Sequence, residues 1–547
     1  MIALAALSLT GCRDYLTEPE PGKTQLEDFY SSPETALQNV TGCYVPLMWE
    51  YGMTYCPEWF IGDVTSDDAL KGGGSTDDMA DAYDFENWRT TNQNSLLLSF
   101  YRANYQGIGR CNLALKYITP LEFENNETWT PEYKNRLLGE VYFLRAYYYF
   151  RLLRIFAGTP LVTKVIDNDA DWGQPRASVD AVYTQILADL DSAQSKLPVK
   201  SSSLYTVDDL GRATQGAAQA MLAKVNLYMA SPYWQGYGLT KSQAACYKDA
   251  AAWAWKVIDS HEYDLCPVYG DNFTLAGENG LESIFEIQYT ASTWGDYGNG
   301  SHFGFTAGSF TQILVRSRSG QIGAGWGFNH PTQNLYDEFE PGDLRRDEAI
   351  LNPNPAKMEA PAVEIYMGNP YLNNKTGMYR DTLPDGKNNG GGWGNVLDHA
   401  TRGPLNNRQI RLADVYLMYA EACEGSGENV ETAKEYFNKV RTRVGMPTYP
   451  GYSFKVNGEE ITNPTFMQAI RHERRVELAM EGHRWFDLVR WYGKGELKAF
   501  MEAYQKTETK DVQDALQTFV EGKHEIFPIP QEEIQLNPTE MKQNPGY

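Results

Sequence analysis

The residues with most chemical content are aromatics set beside small polar side chains. They recur in Trp59-Phe60-Ile61-Gly62-Asp63, Phe85-Glu86-Asn87-Trp88-Arg89, Trp294-Gly295-Asp296-Tyr297-Gly298-Asn299, Trp326-Gly327-Phe328-Asn329-His330 and Trp393-Gly394-Asn395. A polyol ring exposes C–H faces that stack on indole and phenol planes, and its hydroxyls need planar donors and acceptors. A concave patch of this composition holds such a ring without catalysing anything. By this reasoning Trp88, Trp294, Trp326, Trp393 and Tyr297 are candidate platforms. Asp67, Arg89, Asn92 and Asn329 are candidate hydroxyl partners. The competing reading is that these aromatics pin long loops to a scaffold.

Other reaction chemistry finds no constellation. The run Gly320-Gln321-Ile322-Gly323-Ala324-Gly325-Trp326-Gly327 lacks the Lys-Ser/Thr of a phosphate loop, and Lys71-Gly72-Gly73-Gly74-Ser75 has its lysine before the glycines. There is no Gly-x-Ser-x-Gly elbow. The seven histidines form no His-x-x-x-His, and the seven cysteines form no Cys-x-x-Cys or zinc-like cluster. His472 and His483 are eleven residues apart, a spacing that a structural helix face explains. No cofactor and no metal site is expected, although Asp67-Asp68 and Asp77-Asp78 have the chemistry of calcium ligands. A glycoside hydrolase, which needs only two placed carboxylates, is the enzymatic alternative.

The elements that must position these loops are helical. Apolar residues recur at steps of three and four over Glu132–Phe156, Arg212–Ala230 and Arg408–Glu424. Further helices are expected at Pro33–Trp49, Ser95–Ile118, Val179–Lys196, Gln243–Ser260, Val430–Val444 and Thr465–Trp491, with Pro33 and Ser178 at first-turn or cap positions. Small residues and aromatics at facing positions suggest tetratricopeptide-like pairs. Two stretches differ: 51–94, and 262–407 with 21 of the 48 glycines and no long periodicity. The expected fold is therefore mostly α, a helix-pair scaffold over 31–547 carrying two loop-rich insertions, and a binding site belongs on the insertions.

Charge narrows the partners. With 71 acidic and 48 basic residues the net charge is −23, which disfavours nucleic acid. Aromatics also number 71, so a disordered chain is excluded.

Residues 1–12 read MIALAALSLTGC, a short apolar run ending in small residues before Cys12. The pattern resembles a bacterial lipobox without its basic leader. Cleavage would leave Cys12 acylated, with residues 13–30, polar and proline-bearing, as a tether. Spacing assigns no disulfides among the remaining six cysteines, and Cys111 and Cys423 read as buried thiols.

The most specific signal is C-terminal. Arg408-Gln409-Ile410-Arg411-Leu412-Ala413-Asp414 opens a segment through Ala422. After it come Phe437-Asn438-Lys439-Val440-Arg441, the run from Ile470 to Trp491, Phe527-Pro528-Ile529-Pro530 and Gln543-Asn544-Pro545-Gly546-Tyr547. With Gly158-Thr159-Pro160-Leu161-Val162 and Phe100-Tyr101, this succession resembles the SusD/RagB family of outer-membrane nutrient-binding lipoproteins. The family often has Trp where this chain has Phe100. The resemblance implies a mostly α-helical, non-catalytic protein, lipid-anchored in the outer membrane and facing the exterior. It would capture oligosaccharide for a SusC-like TonB-dependent transporter, with ligand loops in the two insertions. A peptide or other nutrient ligand is the alternative within the family. Read physically, the Arg/Glu-rich run is structural: Glu481, Arg484, Asp487 and Arg490 can pair at steps of three, while Trp485, Trp491, Phe486 and Leu488 enter the core.

Overall fold

A computed structural model describes residues 30–50, 57–124, 126, 128–168, 172–292, 307–318, 325–352, 365–377, 399–493 and 495–547, and the backbone at 381–382 and 388–389. The chain is mostly α-helical, as expected. The scaffold helices are α1 (Pro33–Tyr44), α2 (Ala80–Glu86), α3 (Ser95–Ile118), α4 (Pro131–Phe156), α5 (Val179–Lys196), α6 (Gln215–Met229), α7 (Gln243–Asp259), α8 (Leu412–Ser426), α9 (Val430–Arg443), α10 (Phe466–Glu477) and α11 (Arg484–Trp491). From α3 to α9 each helix packs on the next, so the expected pairs form one continuous stack. The signals for α1 and α5 behave as read. Pro33 occupies the first turn behind a Ser32 capping box, and Ser178 caps α5 by accepting the Ala181 N–H.

Two short ladders fix the insertions. Strand β1 (Ala69–Gly72) pairs antiparallel with β3 (Phe328–Pro331), Leu70 opposite His330, tying the first insertion to the second. Strand β2 (Ser283–Ile287) pairs antiparallel with β4 (Asn407–Arg411) and closes the neck of the second insertion.

Three expected helices have other bounds: that of Pro33–Trp49 is α-helical only to Tyr44 and continues as a 3-10 turn, Val45–Met48. Arg408–Arg411, read as the first turn of a helix, belongs to strand β4, because β2 takes its backbone hydrogen bonds; the helix begins at Leu412. The expected helix Thr465–Trp491 is two helices, broken between Glu477 and Arg484. Gly482 there has φ +77°, and its N–H donates to the buried Asp63 carboxylate at 2.9 Å. Gly62 packs so close that a Cβ would stand 2.0 Å from the Gly482 carbonyl oxygen, so any side chain at Gly62 would push the two segments apart.

The break lies in a buried ionic layer. Arg411 reaches Glu282, Glu477 and Glu481, while Arg345 reaches Asp343, Glu473 and Glu477. Arg490 holds Glu421 and Asp487. Of the pairings expected at steps of three, Asp487–Arg490 forms, at 2.8 Å. Glu481 and Arg484 reach across the fold instead, to Arg411 with Lys375 and to Asp67. Trp485 and Trp491 are buried, as are the thiols of Cys111 and Cys423.

Acid should loosen this layer in a definite window. Burial works to raise Glu481, but the Arg411 and Lys375 charges override it and hold the carboxyl at about 2. Its stabilisation is present above the unfolded value of 4.5 and is lost as the pH falls toward 2. His483, kept neutral by burial and the Lys224 charge down to about 3, adds loss in the same direction from 6.5 downward. Asp63 has the opposite sign. Burial and the Asp68 charge raise it to about 8, so its cost grows as the pH rises from 3.8 and is constant below that value. The melting temperature, followed from about pH 6 to about pH 2.5, should fall steeply below about pH 4.5. A flat profile would contradict this reading of the ionic layer.

Candidate functional site

The β1–β3 ladder gathers exposed aromatic and charged side chains from both insertions. Its inner half is a fixed floor. The buried Lys71 ammonium lies 5.3 Å from the Tyr366 ring centroid, 5.4 Å from Phe328 and 5.8 Å from Tyr83. It donates to the carbonyls of Ser75 and Asp78. Burial lowers Lys71 to about 8, and burial raises the neighbouring Glu86 to about 7. Gly72 and Gly73, at φ +78° and +80°, turn the chain over β3, and the Gly73 N–H donates to the Gly327 carbonyl. A Cβ on Gly72 would stand 2.3 Å from that oxygen, so glycine is required there.

The outer half carries the chemistry. Trp326, 36% exposed, is braced edge-on by Phe310 at 4.8 Å between ring centroids. Arg318 spans Trp326 and Asp78, with Nη1 3.3 Å from the Trp326 carbonyl and 3.5 Å from the Asp78 carboxylate. The Arg89 guanidinium covers the Tyr83 ring at 4.8 Å and pairs with Asp84 at 3.3 Å. The side chains of Arg318, Asp78, Arg89 and Asp84 are all substantially exposed. The surface thus offers an indole, two planar guanidinium donors and two carboxylate acceptors, the groups a stacked, multiply hydroxylated ring uses.

Of the candidates read from the sequence, Trp326 and Arg89 lie on this surface. Three others do not suit the assigned role. Trp88 is buried, its indole N–H directed at the Thr65 carbonyl and its ring edge-on to Phe519 at 5.3 Å. It pins the loop, the alternative weighed for these aromatics. Asp67 is fully buried and held bidentately by Arg484 at 2.7 and 2.8 Å, so its lone pairs are committed; with Asp68 bonded to Arg475, neither is disposed as a calcium ligand. Asn329 is buried, with φ +57°, and donates to Asp63. Asn92 is half-buried, its carbonyl accepting from the Gln531 N–H near the C-terminus. Trp294, Tyr297, Trp393 and Cys12 lie outside the described residues. Arg318 carries no such signal in the sequence and Asp78 only that of a calcium ligand, since their pairing depends on the turn of the chain over β3.

His472 and His483 are not a metal pair: the former sits between the Glu338 and Glu340 carboxylates at 3.1 and 3.3 Å, and the latter lies beyond the helix break. Among the described residues no group of three His, Cys, Asp or Glu is disposed to hold a metal ion.

Comparison with known proteins places this geometry in context. Residues 281–547 match the SusD family, and residues 14–227 match a second family described as starch-binding and associating with the outer membrane. A SusD-like protein of Bacteroides ovatus is 26% identical over 506 residues, covering 90% of this chain and 82% of that one. The solved structure of a laminarin-binding SusD-like protein is 30% identical, with a TM-score of 0.73 over 95% of this chain and 100% of that one. Surface glycan-binding protein A of Bacteroides fluxus is 25% identical, with a TM-score of 0.74 over 94% of this chain and 100% of the other.

Proposed function

Because this chain belongs to the SusD family, we propose that it is a non-catalytic, glycan-binding lipoprotein of the outer-membrane surface. It captures oligosaccharide and passes it to a SusC-like TonB-dependent transporter. The observation that carries the reading is the likeness, over nearly the whole of both chains, to a laminarin-binding relative. Support comes from the placement of Trp326, beside Arg318 and Asp78, at the junction of the two insertions. Laminarin is therefore the first polysaccharide to test, by calorimetric titration of the folded chain. Trp294, Tyr297 and Trp393 are proposed to complete the stacking surface, on the same chemistry that singled them out.

Shallow stacking on exposed rings gives modest affinity, with Kd of roughly micromolar to millimolar. Retention at the surface then rests on the anchor. Cys12→Ala, expressed with a complete export signal, should remain unlipidated and be lost from the outer membrane. Fatty-acid labelling of fractionated membranes checks this, and undiminished labelling of the variant would overturn the anchor assignment.

A further inference from the structure

A second cavity lies on elements that the Trp326 surface does not use. It has a volume of about 530 Å³ and lies between the Pro232–Gln235 turn, the segment after α11, residues 521–526 and Pro545. Its walls are phenolic. Tyr237, 40% exposed, is stacked on Trp234 at 5.6 Å, and its hydroxyl is 3.2 Å from that of Tyr233. Tyr492 is backed by Phe500 at 5.0 Å. The rings are thus held in place before any ligand arrives.

Two glutamates, Glu521 and Glu525, also line the cavity. Glu525 is 6% exposed; its Oε1 accepts from the Gly522 N–H at 2.9 Å, and its Oε2 has no hydrogen-bond partner. Oε1 of the half-buried Glu521 is likewise buried and unpartnered. Among the described residues lining the cavity none is basic. Leaving a buried carboxylate oxygen unpaired is costly, and a second carboxylate alongside adds to the cost. Burial, with the Glu521 charge adding to it, raises Glu525 above its ordinary range. A neutral hydroxyl would satisfy one acceptor and bring no charge to the pair. An ammonium supplies three donors and a charge together, and phenol faces attract it as well.

We propose that this cavity is a second ligand site, taking a saccharide unit that carries a protonated amine. The ammonium lies between Glu521 and Glu525, and the C–H face of the ring lies on Tyr237 or Tyr492. The site is independent of glycan capture at Trp326. The test is a calorimetric titration of the full chain with a glucosamine trisaccharide, its N-acetylated counterpart and a glucose trisaccharide. The free-amine sugar should bind at least about tenfold more tightly than either of the others. Glu525→Gln should erase that preference, Trp326→Ala should leave it intact, and the more accessible Glu521→Gln serves if the first variant does not fold. Equal binding of all three sugars, or a preference surviving both glutamine variants, would overturn the proposal.

Discussion

Arg411→Ala is expected to destabilise the protein by about 3–5 kcal/mol, the usual cost of removing one partner from a buried ion pair. The guanidinium is 2% exposed and bridges three carboxylates: 2.7 Å to Glu282, 2.8 Å to Glu481, and Glu477 at hydrogen-bond distance. It thereby ties the end of β4, at the neck of the second insertion, to the end of α10 and the break after it. After truncation Glu477 keeps Arg443 and Arg345, and Glu481 keeps Lys375, but their compensation is incomplete. Equilibrium denaturation of the two proteins measures the effect. A loss below about 1 kcal/mol, the range of exposed pairs, would show that water reaches this layer.

The second large effect concerns binding. Trp326→Ala should weaken glycan affinity by at least about tenfold, or about 1.4 kcal/mol, since tryptophan dominates such contact surfaces. The melting temperature should hardly change, because the indole is one-third exposed and lies at the rim. Trp485→Ala provides the contrast. Its side chain is 1% exposed, so emptying the site should cost about 3–5 kcal/mol and act on binding only through folding. Calorimetry paired with thermal melts separates the two. Unchanged affinity in Trp326→Ala would move the contact surface away from the β1–β3 junction.

The scaffold was legible because its signals are local. The spacing of apolar residues defines α3 and α5 at the observed bounds, Ser95–Ile118 and Val179–Lys196, and Ser178 caps the second. The break after α10 was not legible, because an Arg/Glu pattern that pairs along a solvated helix is indistinguishable in sequence from one whose charges pair across a core. Glu481 finds Arg411, and Arg484 finds Asp67, only once distant segments meet. The same limit governs the site. Trp88 and Trp326 both lie in aromatic-and-polar runs of the insertions, yet Phe519 covers one while the other reaches solvent. Asp78 and Arg318 become partners through the turn over β3, which no spacing announces. The composition of the two insertions singles out their aromatics, and the ladder between them decides which of those side chains are available.

The central claim is non-catalytic capture of oligosaccharide, and isothermal titration of the intact folded chain with laminarin oligosaccharides tests it most directly, with reducing ends assayed in the same samples. Saturable binding with Kd of roughly micromolar to millimolar, and no release of reducing ends over hours, is the predicted result. Steady release of reducing ends, or no binding heat with laminarin or any other glycan offered at millimolar concentration, would contradict it.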